Sequence, residues 1–411
     1  MLLTPHYPPE IRSVSVLMSQ LAADLAARGH TATVLAPYPP VNIDAAARKS
    51  APSREGRDGV CVIRVPVLPF VKVAPAVRAV TQFTLAASMV WAGLREGRND
   101  VVLVYSPPLP LALAAEALAR RWRVPFILNV QDIYPQTLID LGLARNRIVI
   151  GVLAWLERRA YRYAKAITVH SPGNRDLLVR RGVPAGKITV VPNWIDTEAP
   201  STASEDTSYR TELDLGNRVV ALFAGVMGYA QDMAVIVDAA TALRDEREIL
   251  FLLVGDGVRR AETEAMVAAR GLDNVRFLPF QPLDRYPLLL RAADCCLVTL
   301  QASVATPVVP SKIAGILAAS RPVVAALPPG DGRALVEASG GGICVTPGDG
   351  GALAGAVLRL ARDPRLRTVM GEAGRRHVEE YYSRASAVHV YERLIAGVTG
   401  APLDQRSGGD S

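Results

Sequence analysis

Hydrophobic residues in this chain form short continuous runs, separated by longer amphipathic stretches. The runs are rich in Val, Ile and Leu, and continuous rather than alternating runs are typical of parallel strands covered on both faces. The pattern therefore predicts an α/β fold built from doubly wound sheets, with ligands at the carboxyl ends of the strands. The predicted strands are 1–4, 31–36, 60–65, 101–105, 126–130, 166–170 and 188–191, then 219–224, 249–254, 275–278, 295–299, 322–326 and 342–345. Helices are predicted at 11–28, 75–94, 109–121 and 148–164.

A polar, Ser- and Thr-rich segment at 197–217 interrupts this alternation and indicates a linker between two domains. The 411 residues are enough for two cores. We predict an N-terminal Rossmann-like domain at 1–196 and a C-terminal one at 218–383. A last helix at about 384–398 crosses back to the first domain, and 399–411 form a polar tail. The first predicted strand is short, so we expect a few residues upstream of Met1.

Charge is distributed unevenly along the chain. Residues 1–198 carry 24 Lys and Arg against 14 Asp and Glu, a net charge of +10, whereas the remainder carries 22 against 25. The first half is therefore suited to an anionic partner, either nucleic acid or a membrane surface with phosphate-bearing lipids. No aromatic-interleaved basic stripe supports nucleic acid, so we expect none. With no signal peptide pattern, we expect a cytoplasmic protein associated with the inner face of the cell membrane.

The apolar helical stretch Ala79–Leu94 is a candidate for the expected contact with the membrane. At 16 residues it is shorter than a membrane-spanning helix, and Arg78 and Arg95 flank it. It is either a buried helix of the first domain or a helix resting in the membrane interface.

A loop followed by a short helix, Val304–Ala326, carries the strongest candidate chemistry. Pro310 suits the first turn of a helix, Ser311 is a candidate cap, and Lys312 would add a full charge to the helix start. Lys312 is one of only five lysines, and Gly315 lies inside the helix, where glycine costs ~1 kcal/mol relative to alanine. The stretch is either an ordinary loop-to-helix junction or a place that holds a diphosphate.

Two glycine turns follow predicted strands of the second domain. Gly225 and Gly228 lie three apart after the first strand, and Gly255 follows the second. Such glycines let backbone approach a phosphate closely, or they are plain turns. The spacing is not GxGxxG, which disfavours a dinucleotide site.

Taken in order, these motifs resemble glycosyltransferase family 4. The segments that carry the resemblance are VPNWID, FAGVMGYAQD, LLVGDG, NVRFLPF, VVPSKIAGILAASRPVV and GGGICVTPGD, with HYPPEI, LAARGHTATVLAPY and ITVHSPGNRDLL in the first half. They span residues 1 to about 398. The chain is similar to bacterial sugar transferases of O-antigen (lipopolysaccharide) and exopolysaccharide assembly, of the fucosamine-transferase type.

The resemblance implies a GT-B fold, two Rossmann-like domains facing each other across a cleft. It implies that the second domain mainly holds a UDP- or GDP-linked sugar and that the first mainly holds a saccharide or polyprenyl-diphosphate-linked acceptor. It further implies that the transferred sugar retains its anomeric configuration and that the reaction needs no metal or other cofactor. The implied donor-binding residues are Arg12, Gly225, Gly228, Gly255, Leu278, Phe280, Pro310, Ser311, Lys312 and Gly315. The implied catalytic residues are Asp132, Lys312 and His6.

The chain departs from the family pattern at several positions. The family's acidic pair would fall at Pro307 and Gly315, its Arg and Lys after the glycine turn at about Val226 and Gln231, and its paired glycine at Arg12-Ser13. The missing carboxylates keep open a non-catalytic scaffold that binds a nucleotide-sugar. A sugar-nucleotide 2-epimerase on the same fold, which would need no acceptor, is a second alternative.

Two histidines follow strands of the first domain. His6 comes after strand one, and His170 ends the strand at 166–170. Each is a candidate acid, base or oxygen contact, or else a hydrogen-bonded residue at a strand end.

Overall fold

The structure is a computed structural model that describes residues 1–10, 12–39, 52–68, 75–140, 142, 144, 146–195, 208–282, 285–304, 307 and 309–401. The chain divides into two compact units. The first contains Met1–Asn193 and Ala385–Ser411, and the second contains Trp194–Arg384. The predicted helix start at Ile11, the first part of the predicted linker and the tail from residue 402 lie outside the described residues.

The first unit is built on an eight-stranded sheet with the order β3-β4-β2-β1-β5-β6-β7-β8. Every neighbouring pair is parallel except β3 with β4. The strands are β1 Leu2–Leu3, β2 Thr33–Pro37, β3 Arg54–Arg57, β4 Val60–Val65, β5 Val102–Ser106, β6 Phe126–Val130, β7 Ala166–Val169 and β8 Ile188–Val190. Apart from the edge strand β3, each coincides closely with a predicted run.

Helices return the chain from the end of one strand of this sheet to the start of another. They are α1 Ser13–Ala27, α2 Pro75–Glu96, α3 Pro110–Trp122, α4 Gln136–Asp140, α5 Arg147–Tyr163 and α6 Pro172–Arg180. Helix α2 packs on α3, and α3 packs on α5. Their inner faces, which include Leu85, Leu111 and Tyr161, form one core with the strands.

The last helix of the described residues, α15 Arg384–Thr399, lies in the first unit from Ala385 onward. Its Tyr391 is fully buried. The Tyr391 hydroxyl accepts a hydrogen bond from the Asn129 amide and lies 3.3 Å from the Thr168 hydroxyl. Polar groups of β6 and β7 therefore bind this helix to the sheet.

The second unit is built on a six-stranded, all-parallel sheet with the order β11-β10-β9-β12-β13-β14. Alternate residues of each strand enter two separate cores: Val220 and Leu222 point to one face, Ala221 and Phe223 to the other. Burial on both faces explains why these strands read as continuous apolar runs. The strands are β9 Val219–Ala224, β10 Ile249–Val254, β11 Val275–Leu278, β12 Cys295–Thr299, β13 Val323–Ala326 and β14 Gly342–Val345.

Helices cover both faces of this second sheet. Helices α11 and α14 contribute Ile313, Leu317 and Val378 to one core, and α8 and α13 contribute Ile236 and Leu353 to the other. The helices are α7 Ser208–Glu212, α8 Ala234–Ala242, α9 Arg260–Ala269, α10 Tyr286–Ala292, α11 Lys312–Ala318, α12 Asp331–Ser339, α13 Gly350–Arg362 and α14 Pro364–Tyr381.

The linker prediction is wrong for residues 208–217. Ser208–Glu212 form helix α7, and Tyr209 and Leu215 are buried in a core of the second unit. The sequence pattern did not indicate that Tyr209 and Leu215 are buried, because the residues around them are mostly polar.

Within the described residues, no helix has the combined length and apolar content needed to cross a bilayer. Helix α2, which contains Ala79–Leu94, is buried along one side only. Leu85 and Met89 face the core, whereas the outer side carries half-exposed Phe83 and Trp91.

Candidate active site

The carboxyl edge of the second sheet is where three glycine- or proline-initiated loops begin. Strands β9, β10 and β11 end in register, with Val254 paired to Ala224 on one side and to Leu278 on the other. The Gly225 N–H donates to the Val254 carbonyl at 2.9 Å, and the Gly255 N–H donates to the Leu278 carbonyl at 3.0 Å. The first residues of these loops are thus fixed by the sheet itself.

Glycine is required where the first two loops touch. Gly255 has φ +138°, and a Cβ there would lie 1.9 Å from the Gly225 carbonyl oxygen. Gly257 has φ +152°, and its Cβ would lie 2.4 Å from the Met227 oxygen. The predicted donor-binding residue Gly255 therefore has a packing role, whatever else it contacts.

We expect Gly255→Ala to lower the free energy of unfolding by about 3 kcal/mol, since the methyl group meets backbone and the backbone conformation disfavours any side chain. Gly315→Ala is the matched control. A Cβ on Gly315 meets nothing within 4 Å, so alanine should raise stability by up to ~1 kcal/mol. Denaturant unfolding of both variants measures the difference, and equal stability of the two would contradict the contact.

The Lys312 amino group lies directly beneath the first of these loops. Its Nζ is 3.8 Å from the centroid of the Phe223 ring, and a Cβ on Gly225 would be 3.2 Å from it. Nζ is buried although the rest of the side chain is partly exposed, and no described residue accepts a hydrogen bond from it. Burial lowers the pKa of this ammonium to about 8, with neighbouring Cys296 acting in the opposite direction. A buried cation without an anionic partner is costly, which points to an anion that completes the site.

The predicted geometry at the start of this helix is wrong in two details. Helix α11 begins at Lys312, so Pro310 precedes it, and the Pro310 carbonyl accepts the Ile313 N–H at 3.0 Å. Ser311 is exposed, has helical backbone angles and caps nothing with its side chain. The Ser311 side chain therefore lies at the surface, where a ligand can reach it.

The remaining predicted donor-binding residues of this unit lie around the same edge. The Gly228 N–H donates to the Gln231 side-chain oxygen at 3.1 Å, so this amide already has an acceptor. Leu278 ends β11 and is partly exposed, and the Phe280 ring is 54% exposed. An exposed phenyl ring after an edge strand offers a stacking surface for a flat ligand.

Arg260 was missed by the sequence reasoning. Its guanidinium donates to the carbonyl oxygens of both Gly255 and Leu278, and thereby ties the ends of β10 and β11 together. The available signal was an arginine at the start of the helix after the second glycine turn, but surface arginines are too common for that signal to be specific.

In the first unit, His6, Glu10 and Arg12 form one cluster after β1. The Glu10 carboxylate, 1% exposed, has one oxygen 2.7 Å from His6 Nδ1 and accepts from Arg12 Nε at 2.9 Å with the other. Glu10, for which the sequence suggested no role, therefore orients both predicted site residues. The Arg12 side chain is 43% exposed, which leaves its terminal nitrogens available.

Asp132 follows β6 at the same carboxyl edge of the first sheet. Burial raises the pKa of its carboxyl, and its carboxylate makes no hydrogen bond or ion pair with a described residue. The Asp132 charge acts on the Tyr105 hydroxyl, whose pKa is raised by burial first and by this charge second. A partly buried carboxyl that has a raised pKa and no partner among the described residues fits a proton acceptor or donor.

His170 is held by hydrogen-bonding groups of its own unit. Its Nε2 lies 3.0 Å from the Gln131 carbonyl oxygen and 2.9 Å from the Asn174 side-chain nitrogen. This matches the interpretation of a hydrogen-bonded residue at a strand end. Among the described residues, no three His, Cys, Asp or Glu side chains come together as a metal-ligand set.

Two family models match the chain, one in each unit. A glycosyl transferase 4-like domain matches residues 14–194, and glycosyl transferases group 1 matches residues 218–363. The chain is 27% identical over 390 residues to the putative colanic acid biosynthesis glycosyl transferase WcaI of Escherichia coli, covering 91% of this chain and 95% of WcaI. It is 30% identical over 309 residues to the 2-deoxystreptamine glucosyltransferase of Streptomyces kanamyceticus, covering 69% of this chain and 74% of that enzyme.

Solved structures share the fold at lower identity. Anabaena HepE in complex with UDP and glucose superposes with a TM-score of 0.73 at 17% identity, over 96% of this chain and 98% of HepE. WaaG, a glycosyltransferase involved in lipopolysaccharide biosynthesis, superposes with a TM-score of 0.70 at 16% identity, over 97% of this chain and 99% of WaaG. Since both family models match in this order and a 30% identical glucosyltransferase aligns over most of its length, the chain belongs to the glycosyltransferases of family 4, enzymes with the GT-B fold.

Proposed function

We propose that this glycosyltransferase moves a sugar from a nucleoside-diphosphate sugar to a saccharide or polyprenyl-diphosphate-linked acceptor in cell-surface polysaccharide synthesis. The observation that carries the proposal is the buried Lys312 ammonium beside the Gly225 turn, which lacks an anion among the described residues. A diphosphate supplies that anion. The relatives named for colanic acid and lipopolysaccharide synthesis support the polysaccharide context.

The donor is assigned to the second unit. Lys312 and the exposed Ser311 hydroxyl would contact the diphosphate, next to the Gly225 backbone. The Phe280 ring and Leu278 would border a UDP or GDP base. Open space beside Gly315, where the family's acidic residue is absent, leaves room for the ribose. HepE was solved with UDP and with UDP-glucose, which is consistent with a uridine donor.

The acceptor is assigned to the first unit, with Asp132 as the base. The acceptor hydroxyl oxygen bonds to the anomeric carbon, on the face from which the diphosphate leaves, so that configuration is retained. The bond from that carbon to the diphosphate oxygen breaks, and its electron pair goes to the diphosphate. The hydroxyl proton passes to the Asp132 carboxylate. Lys312, not a metal ion, offsets the charge that grows on the leaving group.

A peripheral membrane contact is assigned to the outer side of helices α2 and α5. Trp91 on α2 is 57% exposed and Trp155 on α5 is 50% exposed, and each ring lies under an arginine guanidinium, Arg95 and Arg159. Exposed tryptophan beside arginine is typical of helices that lie in the interface of an anionic bilayer. Flotation with phosphatidylglycerol vesicles tests the contact, and equal recovery of wild type and a Trp91→Ser/Trp155→Ser variant would contradict it.

The donor is tested first by thermal shift with nucleoside diphosphates and their sugars, because a ligand at 100 times its Kd adds ~2.7 kcal/mol. The stabilising donor is then incubated with the protein, with and without acceptors, in the presence of a chelator. We expect transfer that requires an acceptor, and NMR of the product should show the donor's anomeric configuration. Epimerised donor without acceptor would support the epimerase, and loss of transfer with the chelator would contradict metal independence.

A further inference from the structure

A basic cavity lies at the edge of the first sheet opposite to His6 and Asp132. It has a volume of about 890 Å³ and is bordered by Phe126 at the start of β6 and by the residues that precede β7 and β8. The ends of α3 and α5 form its other walls. Its charged lining residues are Arg120, Arg123, Arg162, Lys165, Lys187 and Glu116.

The single carboxylate of the cavity is already neutralised. Glu116 accepts from Arg120 at 2.9 Å and from Arg159 at 2.9 Å, and both guanidinium groups also lie near the Tyr163 ring. Glu116 therefore has no charge left to balance the other cations.

One of the cations has a structural role. The Lys187 ammonium donates to the carbonyl oxygens of Tyr161 at 2.6 Å and Arg162 at 2.9 Å, so it caps the carboxyl end of α5. Burial lowers the pKa of Lys187, and the nearby Lys165 ammonium lowers it further, which shows that the two positive charges are close enough to repel.

Apart from Lys187 and the Arg120 that pairs with Glu116, three cations of the cavity have no structural role that the contacts explain. The side chains of Arg123, Arg162 and Lys165 make no hydrogen bond or ion pair with a described residue, although all three border the same cavity. Helix capping accounts for Lys187 alone. All three side chains are exposed at the mouth of the cavity, where water screens their mutual repulsion and an anion can reach them.

We propose that this cavity binds a phosphate group, as a diphosphate or a phosphodiester. Arginine forks and lysine point charges are the side chains that bind phosphate oxygens. The apolar part of the lining, which includes Val124, Pro125 and Phe126, accommodates the carbon skeleton attached to the phosphate. The site goes beyond the proposed transfer reaction and is independent of it, because it lies at the other edge of the sheet.

The phosphate has two possible sources, a lipid headgroup and a free phosphate compound. The cavity is at the carboxyl end of α5, the helix that also carries the exposed Trp155. Two probes separate the sources: inorganic pyrophosphate in equilibrium dialysis, and vesicles containing phosphatidylglycerol compared with vesicles of phosphatidylcholine alone.

The test compares the wild type with Arg123→Asn/Lys165→Gln. Asparagine is chosen because Arg123 has φ +58°, which asparagine tolerates. The matched control is Arg175→Gln/Arg180→Gln, which removes two exposed charges from α6 of the same unit. Arg162→Gln is a second cavity variant should the double variant lose its fold, as judged from its thermal midpoint.

We expect the cavity variant to lose at least 10-fold in pyrophosphate affinity if the source is a free phosphate. If the source is lipid, it should lose about 30-fold in partition to anionic vesicles only, since each basic residue near such a surface contributes roughly fivefold. The control should retain wild-type binding of the relevant probe. Equal binding by wild type and both cavity variants, or an equal loss in the control, would overturn the proposal, as would absence of binding of either probe to the wild type.

Discussion

Replacing Lys312 with methionine is expected to lower turnover about 100- to 1,000-fold, the effect of removing one preorganised charge from a leaving-group site. The same change should stabilise the folded protein at pH 7 by ~3 kcal/mol, because the pKa of the buried ammonium is lowered from 10.5 to about 8. Activity and stability therefore change in opposite directions. A merely structural lysine would not produce this combination.

The pH dependence of the free energy of unfolding follows from the lowered pKa of Lys312. Between pH 8 and 10.5 the unfolded chain binds more protons at Lys312 than the folded protein, so the free energy of unfolding rises with pH across this window. Below pH 8 both states are protonated and the full penalty of the buried charge is present. The methionine variant lacks this rise, so its stability advantage over the wild type should disappear above pH 10.5.

Urea unfolding from pH 7 to 10.5 and steady-state kinetics measure the two effects of Lys312→Met. The control is Arg359→Met on the exposed face of α13, which removes a charge without relieving burial. Normal turnover in a folded Lys312→Met protein would show that the charge has no role in the reaction. Destabilisation at pH 7 would show that a structural partner holds the ammonium.

Replacing Asp132 with asparagine is expected to lower turnover about 100-fold or more, the usual contribution of a positioned proton acceptor. Burial raises the pKa of this carboxyl, so the wild-type rate should rise with pH as the carboxyl ionises. The asparagine variant should lose that rise and keep its affinity for the donor. A pH–rate profile of the same shape in both proteins would exclude Asp132 as the base.

The pH dependence of stability gives an independent measure of the raised pKa of the Asp132 carboxyl. Because its pKa is raised in the folded protein, the folded state binds more protons than the unfolded chain between the ordinary and the raised value. The free energy of unfolding therefore falls as pH rises through that window. Asp132→Asn should remove this fall, whereas Asp176→Asn, at an exposed position on α6, should not.

The sequence predicted the sheets well because their strands are covered on both faces. Phe126–Val130, Ile249–Val254 and Cys295–Thr299 were predicted with the bounds that the structure shows. A parallel strand buried on both sides needs an unbroken apolar run, and little else in a chain of this kind produces one. The ordered motifs of both halves, which include the Gly225 and Gly255 turns and the Lys312 helix, then allowed the family to be identified.

The details of the site were less predictable because they depend on tertiary contacts. The sequence indicated a charged Lys312 but not that its ammonium would be buried against the Phe223 ring. It favoured Ser311 as a cap, whereas the helix begins with the serine already helical. It also could not show that Glu10 joins His6 to Arg12, since the pairing depends on how the loop after β1 turns.

The contact of Gly255 with the Gly225 carbonyl has a consequence for how donor preference changes during evolution. Neither loop can lengthen, shorten or shift without displacing its neighbour, so insertions there disrupt both at once. On the proposed assignment of Phe280 to the base, we expect new nucleotide preferences to arise from single replacements in the exposed stretch around this residue. Engineering a different donor into this enzyme should begin with that stretch and leave both glycines untouched.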